Sequence, residues 1–146
     1  GMFHLQIMIK DHIPYIIDVT RRIPGDLYPY LIEYCDGVEY SKAVVKAYTK
    51  GKIDDEFDTK YEKQNFVIRH CVMPNRNGIY KNIIINDNIK DKILYRLDLL
   101  KKDYMIEDYF HTQVAIIFVD ASNNKFIVEN INHLIQVEVK ESIWEM

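Results

Sequence analysis

The feature that most constrains the fold lies at the start of the chain, where two apolar strands flank a short polar turn. Every second residue from Phe3 to Ile9 is a large apolar side chain, which is the period of a strand with one buried face. Asp11–Pro14 predicts a turn, and Tyr15–Val19 is a second apolar strand. The pattern therefore predicts an antiparallel hairpin over residues 3–19.

Two helices are predicted after the hairpin. Asp26 is the expected N-cap of the first, which carries apolar side chains at helical spacing over Leu27–Cys35 and ends at Gly37. The second runs from about Ser41 to Tyr48 and ends at Gly51. Its predicted inward side chains are Val44, Val45 and Tyr48.

The polar stretch Lys52–Lys63 is interpreted as a linker between two lobes. We therefore divide the chain into residues 1–58 and 59–146. Two further strands, Asn65–Val72 and Ile79–Ile85, are expected to form a hairpin around an Asn-Gly turn signal.

A longer helix is predicted after residue 85, capped by one of residues 86–88. Its inner stripe would be Ile89, Ile93, Leu97 and Leu100. A strand is expected over His111–Asp120. For residues 121–135 the pattern leaves two alternatives, a short helix or an irregular segment leading into a final strand at His133–Val139. The fold class is α+β: an antiparallel hairpin with helices, followed by a small α+β lobe.

Composition excludes several classes of function. No apolar run in the 146 residues approaches the roughly 18–20 that a membrane span needs, and no signal peptide is visible, so a cytoplasmic location without a membrane partner is expected. The net charge is −3 and the basic residues are dispersed, which argues against a nucleic-acid partner. Cys35 and Cys71 lack the spacing of a zinc site.

Candidate chemistry is concentrated at the end of the second strand. The two-residue period of a strand places Asp18, Thr20 and, if the chain stays extended, Arg22 on one face. Two oxygen ligands and a guanidinium suit a Mg²⁺–phosphate complex. Gly25 would allow backbone to approach a ligand closely, and a helix starting at Asp26 would offer unpaired N–H groups near that charge.

These residues resemble a motif of the ATP-grasp superfamily. In that family a hairpin late in the ATP-binding domain ends in Glu-x-Asn-x-Arg and is followed by a glycine, a helix and a second helix. Here the motif is Asp18–Arg22, followed by Gly25, the segment Leu31–Tyr40 and the predicted helix that ends at Gly51. Biotin carboxylase and carbamoyl-phosphate synthase are relatives with this order of elements.

The resemblance implies a role for each matching residue. Asp18 would bind Mg²⁺, Thr20 would be a weaker or water-mediated ligand, and Arg22 would be the catalytic group that contacts phosphate, with Gly25 beside the ATP. The first strand of the family's hairpin carries another carboxylate, and the matching position here is Gln6, an uncharged oxygen donor. Gln6 in place of that carboxylate lowers the negative charge at the metal.

Two simpler interpretations concern neighbouring residues. Asp18 and Arg22 would, by pattern alone, be a surface ion pair at a strand end, and the ordered match through Gly51 favours the ligand interpretation. The five histidines do not cluster in the sequence, so none is assigned a catalytic role. His4 is expected on the face opposite to Gln6.

The resemblance implies part of a carboxylate–amine or carboxylate–thiol ligase that uses Mg²⁺ and ATP on a small carboxylate substrate. The glycines stand singly at 1, 25, 37, 51 and 78, so the family's glycine-rich loop is not seen. We therefore expect a truncated chain, a fragment or one product of a split gene, inactive without N-terminal ATP-grasp lobes as its partner. Self-association is one way to cover the exposed hairpin. The alternative is a non-catalytic α+β interaction module of a split or relic ATP-grasp protein.

Overall fold

The computed structural model describes residues 3–51 and 65–141. Contacts divide the chain into two compact units, residues 1–64 and 65–146. The predicted linker at 52–63 and the predicted boundary after residue 58 lie outside the described residues.

The first unit contains the predicted hairpin and two helices. Its elements are β1 (His4–Lys10), β2 (Ile13–Thr20), α1 (Tyr28–Asp36) and α2 (Tyr40–Lys50). The two strands pair antiparallel, with Lys10 opposite Ile13, so the connection is the two residues Asp11 and His12. Both have positive φ, 51° and 62°, as a tight I′-type hairpin turn requires.

One face of the hairpin is apolar and uncovered. Cross-strand pairing joins Leu5 to Val19 and Ile7 to Ile16, and the alternation along β1 adds Ile9. These five side chains are between 44% and 68% exposed. We call this set the apolar face. The expectation of one buried face is wrong for the described structure, because the pattern marks which side can be buried but not what covers it.

The helices begin and pack differently from the prediction. The N-cap of α1 is Leu27, with φ 61° and no side-chain cap bond, rather than Asp26. Both helices end at glycines in the left-handed conformation, Gly37 and Gly51, as predicted. Ala43 is the side chain that α2 buries, whereas the predicted inward residues Val45 and Tyr48 are 62% and 70% exposed.

The second unit contains two three-stranded sheets around one core. In chain order its elements are β3 (Val67–Val72), β4 (Gly78–Ile85), a 3₁₀ helix (Asp87–Lys92), β5 (Ile93–Asp98), β6 (Met105–Ile106), β7 (Ala115–Asp120), α3 (Lys125–Leu134) and β8 (Ile135–Lys140). The strand orders are β3-β7-β5 and β6-β4-β8, with antiparallel pairing throughout. β7 is the central strand of its sheet, and Ala115–Val119 is buried along its whole length. The α+β fold class is confirmed.

Two predictions in this unit are wrong, and for a third segment the structure decides between two alternatives. β3 and β4 lie in different sheets and do not form a hairpin around the Asn-Gly turn. The long helix after residue 85 is instead a 3₁₀ turn, capped by the Asn86 side chain, followed by strand β5. For residues 121–135 the helix alternative is correct, since α3 begins after an Asn124 cap.

Candidate Mg–phosphate site

The register of the hairpin brings the candidate metal ligands together. Gln6 lies directly opposite Asp18, and His4 lies directly opposite Thr20. Side chains opposite each other in an antiparallel pair lie on the same face, with Cβ atoms about 4.5–5.5 Å apart. The side chains of Gln6, Asp18 and Thr20 therefore share one face. We call it the site face and include His4 in it.

His4 is the residue that sequence reasoning missed. The expectation that it faces away from Gln6 is wrong, because residues two apart on a strand lie on the same side. Its pairing with Thr20 agrees with that rule. The alternation along β1, correctly applied, would have placed His4 on the site face from the sequence alone.

A bulge lies directly beside Asp18. The register shifts between Gln6 and Ile7, whose partners are Asp18 and Ile16, so Ile17 has no opposite residue. An extra residue bends the strand and increases its local twist, and bulges of this kind often re-aim side chains near binding sites. The irregularity separates the polar end of the hairpin, which carries the candidate ligands, from the turn end.

Arg22 lies beyond the regular strand. β2 ends at Thr20, and Arg21 and Arg22 form a bend, so the alternation that aligns Asp18 with Thr20 does not extend to Arg22. The Arg22 side chain is exposed, and its Nη1 donates a hydrogen bond to the carbonyl of Ile23 at 3.1 Å. A guanidinium has five N–H donors, so this bond leaves donors with which Arg22 can bind an anion.

The start of α1 does not provide the anion site that the sequence suggested. The N–H of Tyr28 donates to the carbonyl of Gly25 at 3.2 Å, and that of Tyr30 donates to Leu27 at 3.0 Å. Pro29 lies between them and has no N–H. The first turn thus has no unused N–H group at these three positions. Gly25 itself has open space where a Cβ would stand, so no described neighbour requires a glycine there.

The donor set suits a hard cation that keeps other ligands. Within residues 3–51 and 65–141, no three His, Cys, Asp or Glu side chains come together as a complete metal site. The site face offers one carboxylate, from Asp18, with amide and hydroxyl oxygens from Gln6 and Thr20. Mg²⁺ is held in proteins by one or two carboxylates plus phosphate and water oxygens. The residues therefore fit Mg²⁺ bound together with a phosphate group, and not a closed all-protein site.

Comparison with solved structures identifies the fold. A phosphoribosylglycinamide synthetase from Anaerococcus prevotii aligns with a TM-score of 0.67 over 94% of this chain and 37% of its own. An L-amino acid ligase from Bacillus licheniformis aligns with a TM-score of 0.78 over 95% of this chain and 38% of its own. Both are ATP-grasp enzymes. The chain has the fold of the C-terminal part of an ATP-grasp enzyme.

The match is one of fold and not of sequence. Identity to each of the two ligases is 16%, and no family model and no curated protein sequence matches the chain. The chain spans somewhat over a third of the length of these ATP-grasp structures. Among the described residues, no helix is long and apolar enough to cross a bilayer.

Proposed function

We propose that the chain is the C-terminal portion of an ATP-grasp carboxylate–amine or carboxylate–thiol ligase and contributes Mg²⁺–ATP phosphate contacts. The observation that carries the proposal is the pairing of Gln6 with Asp18 on one face of the hairpin, in a chain with this fold. The name of one structural neighbour, an L-amino acid ligase, supports a carboxylate–amine reaction on a small carboxylate.

Each residue has a defined task in this proposal. Asp18 and Gln6 would hold Mg²⁺ through their side-chain oxygens, and the Thr20 hydroxyl would be a weaker or water-mediated ligand. Mg²⁺ bound there would supply positive charge next to the phosphates. Arg22 binds a phosphate oxygen through its remaining N–H groups, which stabilises negative charge that develops in phosphoryl transfer. The open space at Gly25 leaves room for the nucleotide.

The partner in this proposal is the remainder of the ATP-grasp fold, whether on the same polypeptide or on another. Those lobes supply the groups that enclose adenine and the rest of the phosphates. Their surface also covers the hairpin, since an uncovered two-stranded sheet is only marginally stable in water. The isolated chain is therefore expected to bind ATP weakly and not to hydrolyse it.

The test supplies the chain together with the ATP-binding lobes and measures Mg²⁺-dependent ADP release with small carboxylates and amines. Asp18→Asn is expected to lower turnover about 100- to 1,000-fold, as for the loss of one preorganised charge-stabilising group. Asp11→Asn is the matched control, because it removes the same charge from the turn of the same hairpin. It should leave turnover unchanged. Equal turnover in wild type and Asp18→Asn would overturn the proposed site.

The exposed apolar face favours the second candidate, a non-catalytic interaction module. Contiguous apolar surface of this kind commonly marks a protein-binding site. This candidate is supported if the chain forms a stable complex through Ile7 and Ile16 but no Mg²⁺-dependent turnover appears with any ATP-grasp partner. Turnover that depends on Asp18 excludes it.

A further inference from the structure

The pair formed by His4 and Thr20 has unmet hydrogen-bonding capacity. Both residues are half-buried and lie directly opposite each other. The Nδ1 atom of His4 and the Oγ1 atom of Thr20 are enclosed, and neither has a hydrogen-bond partner in the described part of the chain. A buried polar atom left unpaired costs about 1–3 kcal/mol, so two such atoms side by side call for a functional explanation.

The two atoms are chemically complementary. A threonine hydroxyl is a donor with two acceptor lone pairs, and one nitrogen of a neutral imidazole is an acceptor. Cross-strand partners have Cβ atoms about 4.5–5.5 Å apart, so a rotation of the Thr20 side chain can bring its hydroxyl to Nδ1. The hydrogen bond made by one imidazole nitrogen decides which nitrogen carries the proton. A bond from Thr20 to Nδ1 would therefore place the proton on Nε2.

We propose that Thr20 orients His4 in this way and that the Nε2–H of His4 donates a hydrogen bond to a phosphate oxygen of the nucleotide bound at the site face. The inference rests on the proposed function, since it adds a phosphate-binding residue to the same site. Nε2 is not among the enclosed atoms that lack a partner, and it is the ring nitrogen that the proposal assigns to the ligand. The lone pairs of the Thr20 hydroxyl remain able to accept from a metal-bound water.

A donor role fits this position better than a metal-ligand role. Mg²⁺ takes oxygen ligands, whereas imidazole suits Zn²⁺, Cu²⁺ and other transition metals. The site face already offers acceptor oxygens from Gln6 and Asp18. A neutral N–H donor beside them complements a phosphate without competing for the cation.

Two substitutions of His4 separate the roles of its nitrogens. His4→Gln places an amide N–H near the position of Nε2, and His4→Asn places one near Nδ1. Thr20→Ser keeps the hydroxyl, and Thr20→Val replaces it with a methyl group of similar size. The isolated chain labelled with ¹⁵N-histidine is titrated with Mg²⁺–pyrophosphate and followed by NMR, which reports both the tautomer of His4 and weak binding.

In the wild type and in Thr20→Ser, the NMR spectrum should show a single tautomer with the proton on Nε2 and with Nδ1 accepting a hydrogen bond. Thr20→Val should lose the signature of that hydrogen bond. Pyrophosphate affinity should be nearly unchanged in His4→Gln and about tenfold lower in His4→Asn, the loss expected for one hydrogen bond to a charged group.

Two outcomes would overturn the inference: equal affinities in the two His4 variants, or retention of affinity only in His4→Asn. Asp18→Asn separates this inference from the proposed magnesium site. If Asp18→Asn leaves the Mg²⁺ dependence intact while the His4 variants behave as expected, the magnesium assignment fails and the role of His4 stands. If only the Asp18 effect appears, the role of His4 fails alone.

Discussion

The two units of the chain differ in how completely each buries its own apolar residues. Residues 65–141 enclose a continuous cluster that includes Val72, Ile89, Ile117 and Ile127. In residues 3–51, Val38 and Ala43 are buried hydrophobic residues, while the apolar face of the hairpin is open. The candidate ligands all lie in residues 3–51, the less buried region. Residues 65–141 thus enclose their own apolar core, whereas residues 3–51 leave the apolar face of the hairpin exposed.

The largest expected effect is the difference in lost stability between an isoleucine truncated in the core of residues 65–141 and one truncated in the hairpin. Ile117 in β7 is 0% exposed and Ile16 in β2 is 64% exposed. Ile117→Ala should lower the free energy of unfolding by about 2–5 kcal/mol, because it leaves a cavity in a closed core. Ile16→Ala should change it by about 0.5 kcal/mol or less. Chemical denaturation of both variants measures the difference, and similar losses would show that the hairpin is as well packed as the core.

The next effect separates activity from stability in the hairpin region. Arg22→Ala should lower turnover about 100-fold in the protein supplied with the ATP-binding lobes, because it removes a group that stabilises phosphate charge. Its thermal unfolding should stay near that of the wild type, since the side chain is exposed. Arg21→Ala is the control, the same substitution one residue earlier in the same bend. Equal losses in both variants would point to general electrostatic attraction and not to a phosphate contact.

Glycines provide a third contrast between the regions. Gly78 at the start of β4 has φ +139°, and a Cβ there would lie 2.4 Å from the carbonyl oxygen of Lys140. Gly78→Ala should therefore destabilise residues 65–141 by about 1–3 kcal/mol, the usual cost of backbone strain. Gly25→Ala meets no atom within 4 Å and should leave stability unchanged or slightly higher.

Gly25→Ala should, however, weaken nucleotide binding in the protein that carries the ATP-binding lobes, if the open space at Gly25 holds a ligand. Isothermal titration with Mg²⁺–ATP measures this. An unchanged affinity of Gly25→Ala would remove Gly25 from the site. An unchanged stability of Gly78→Ala would show that the β8 backbone shifts at Lys140 to make room for the new Cβ.

The smallest effect concerns pH and belongs to the packed region. His70 in β3 is buried, and desolvation lowers its pKa from the usual 6.5. The unfolded chain then takes up a proton at a higher pH than the folded one. The contribution of neutral His70 to the free energy of unfolding is therefore fully present above about pH 6.5. It is lost progressively as the pH falls from there towards the lower pKa of the folded state.

Unfolding free energies at about pH 7.5 and about pH 5.5 test this sign. His70→Gln should reduce the difference between the two values, whereas His133→Gln, a substitution of an exposed histidine, should keep it. A wild-type protein more stable at the lower pH would contradict the assignment to His70.

Local patterns predicted the hairpin region well. The alternation after Phe3 and the polar turn at Asp11 are enough for β1 and β2, since both signals act within a few residues. The glycines at 37 and 51 end α1 and α2 as expected, because a helix readily ends in a left-handed residue. The face shared by Gln6 and Asp18, in contrast, does not follow from strand period and a tight turn alone. With Lys10 opposite Ile13, regular pairing would place Gln6 opposite Ile17, and the bulge at Ile17 is what brings Asp18 opposite Gln6.

Other elements depend on distant partners. The spacing of Ile89, Ile93 and Leu97 suits a helix, but Ile93–Asp98 also alternates, and its burial alternates in the same way. Pairing of β5 with β7 decides between the two, because the ladder supplies hydrogen bonds and buries the inner side chains of a strand. No local pattern in the sequence predicts that β5 pairs with β7.

The sequence by itself therefore determined the hairpin, its helix ends and the order of candidate ligands along β2, all consequences of φ preferences and side-chain period. Only the tertiary structure decided that Ile17 is bulged beside Asp18, that Arg22 leaves the strand in a bend, and that Pro29 and its neighbours leave no free N–H at the start of α1. The physical reason is that register and chain direction depend on which backbone groups find partners, and those partners are chosen by packing across the chain.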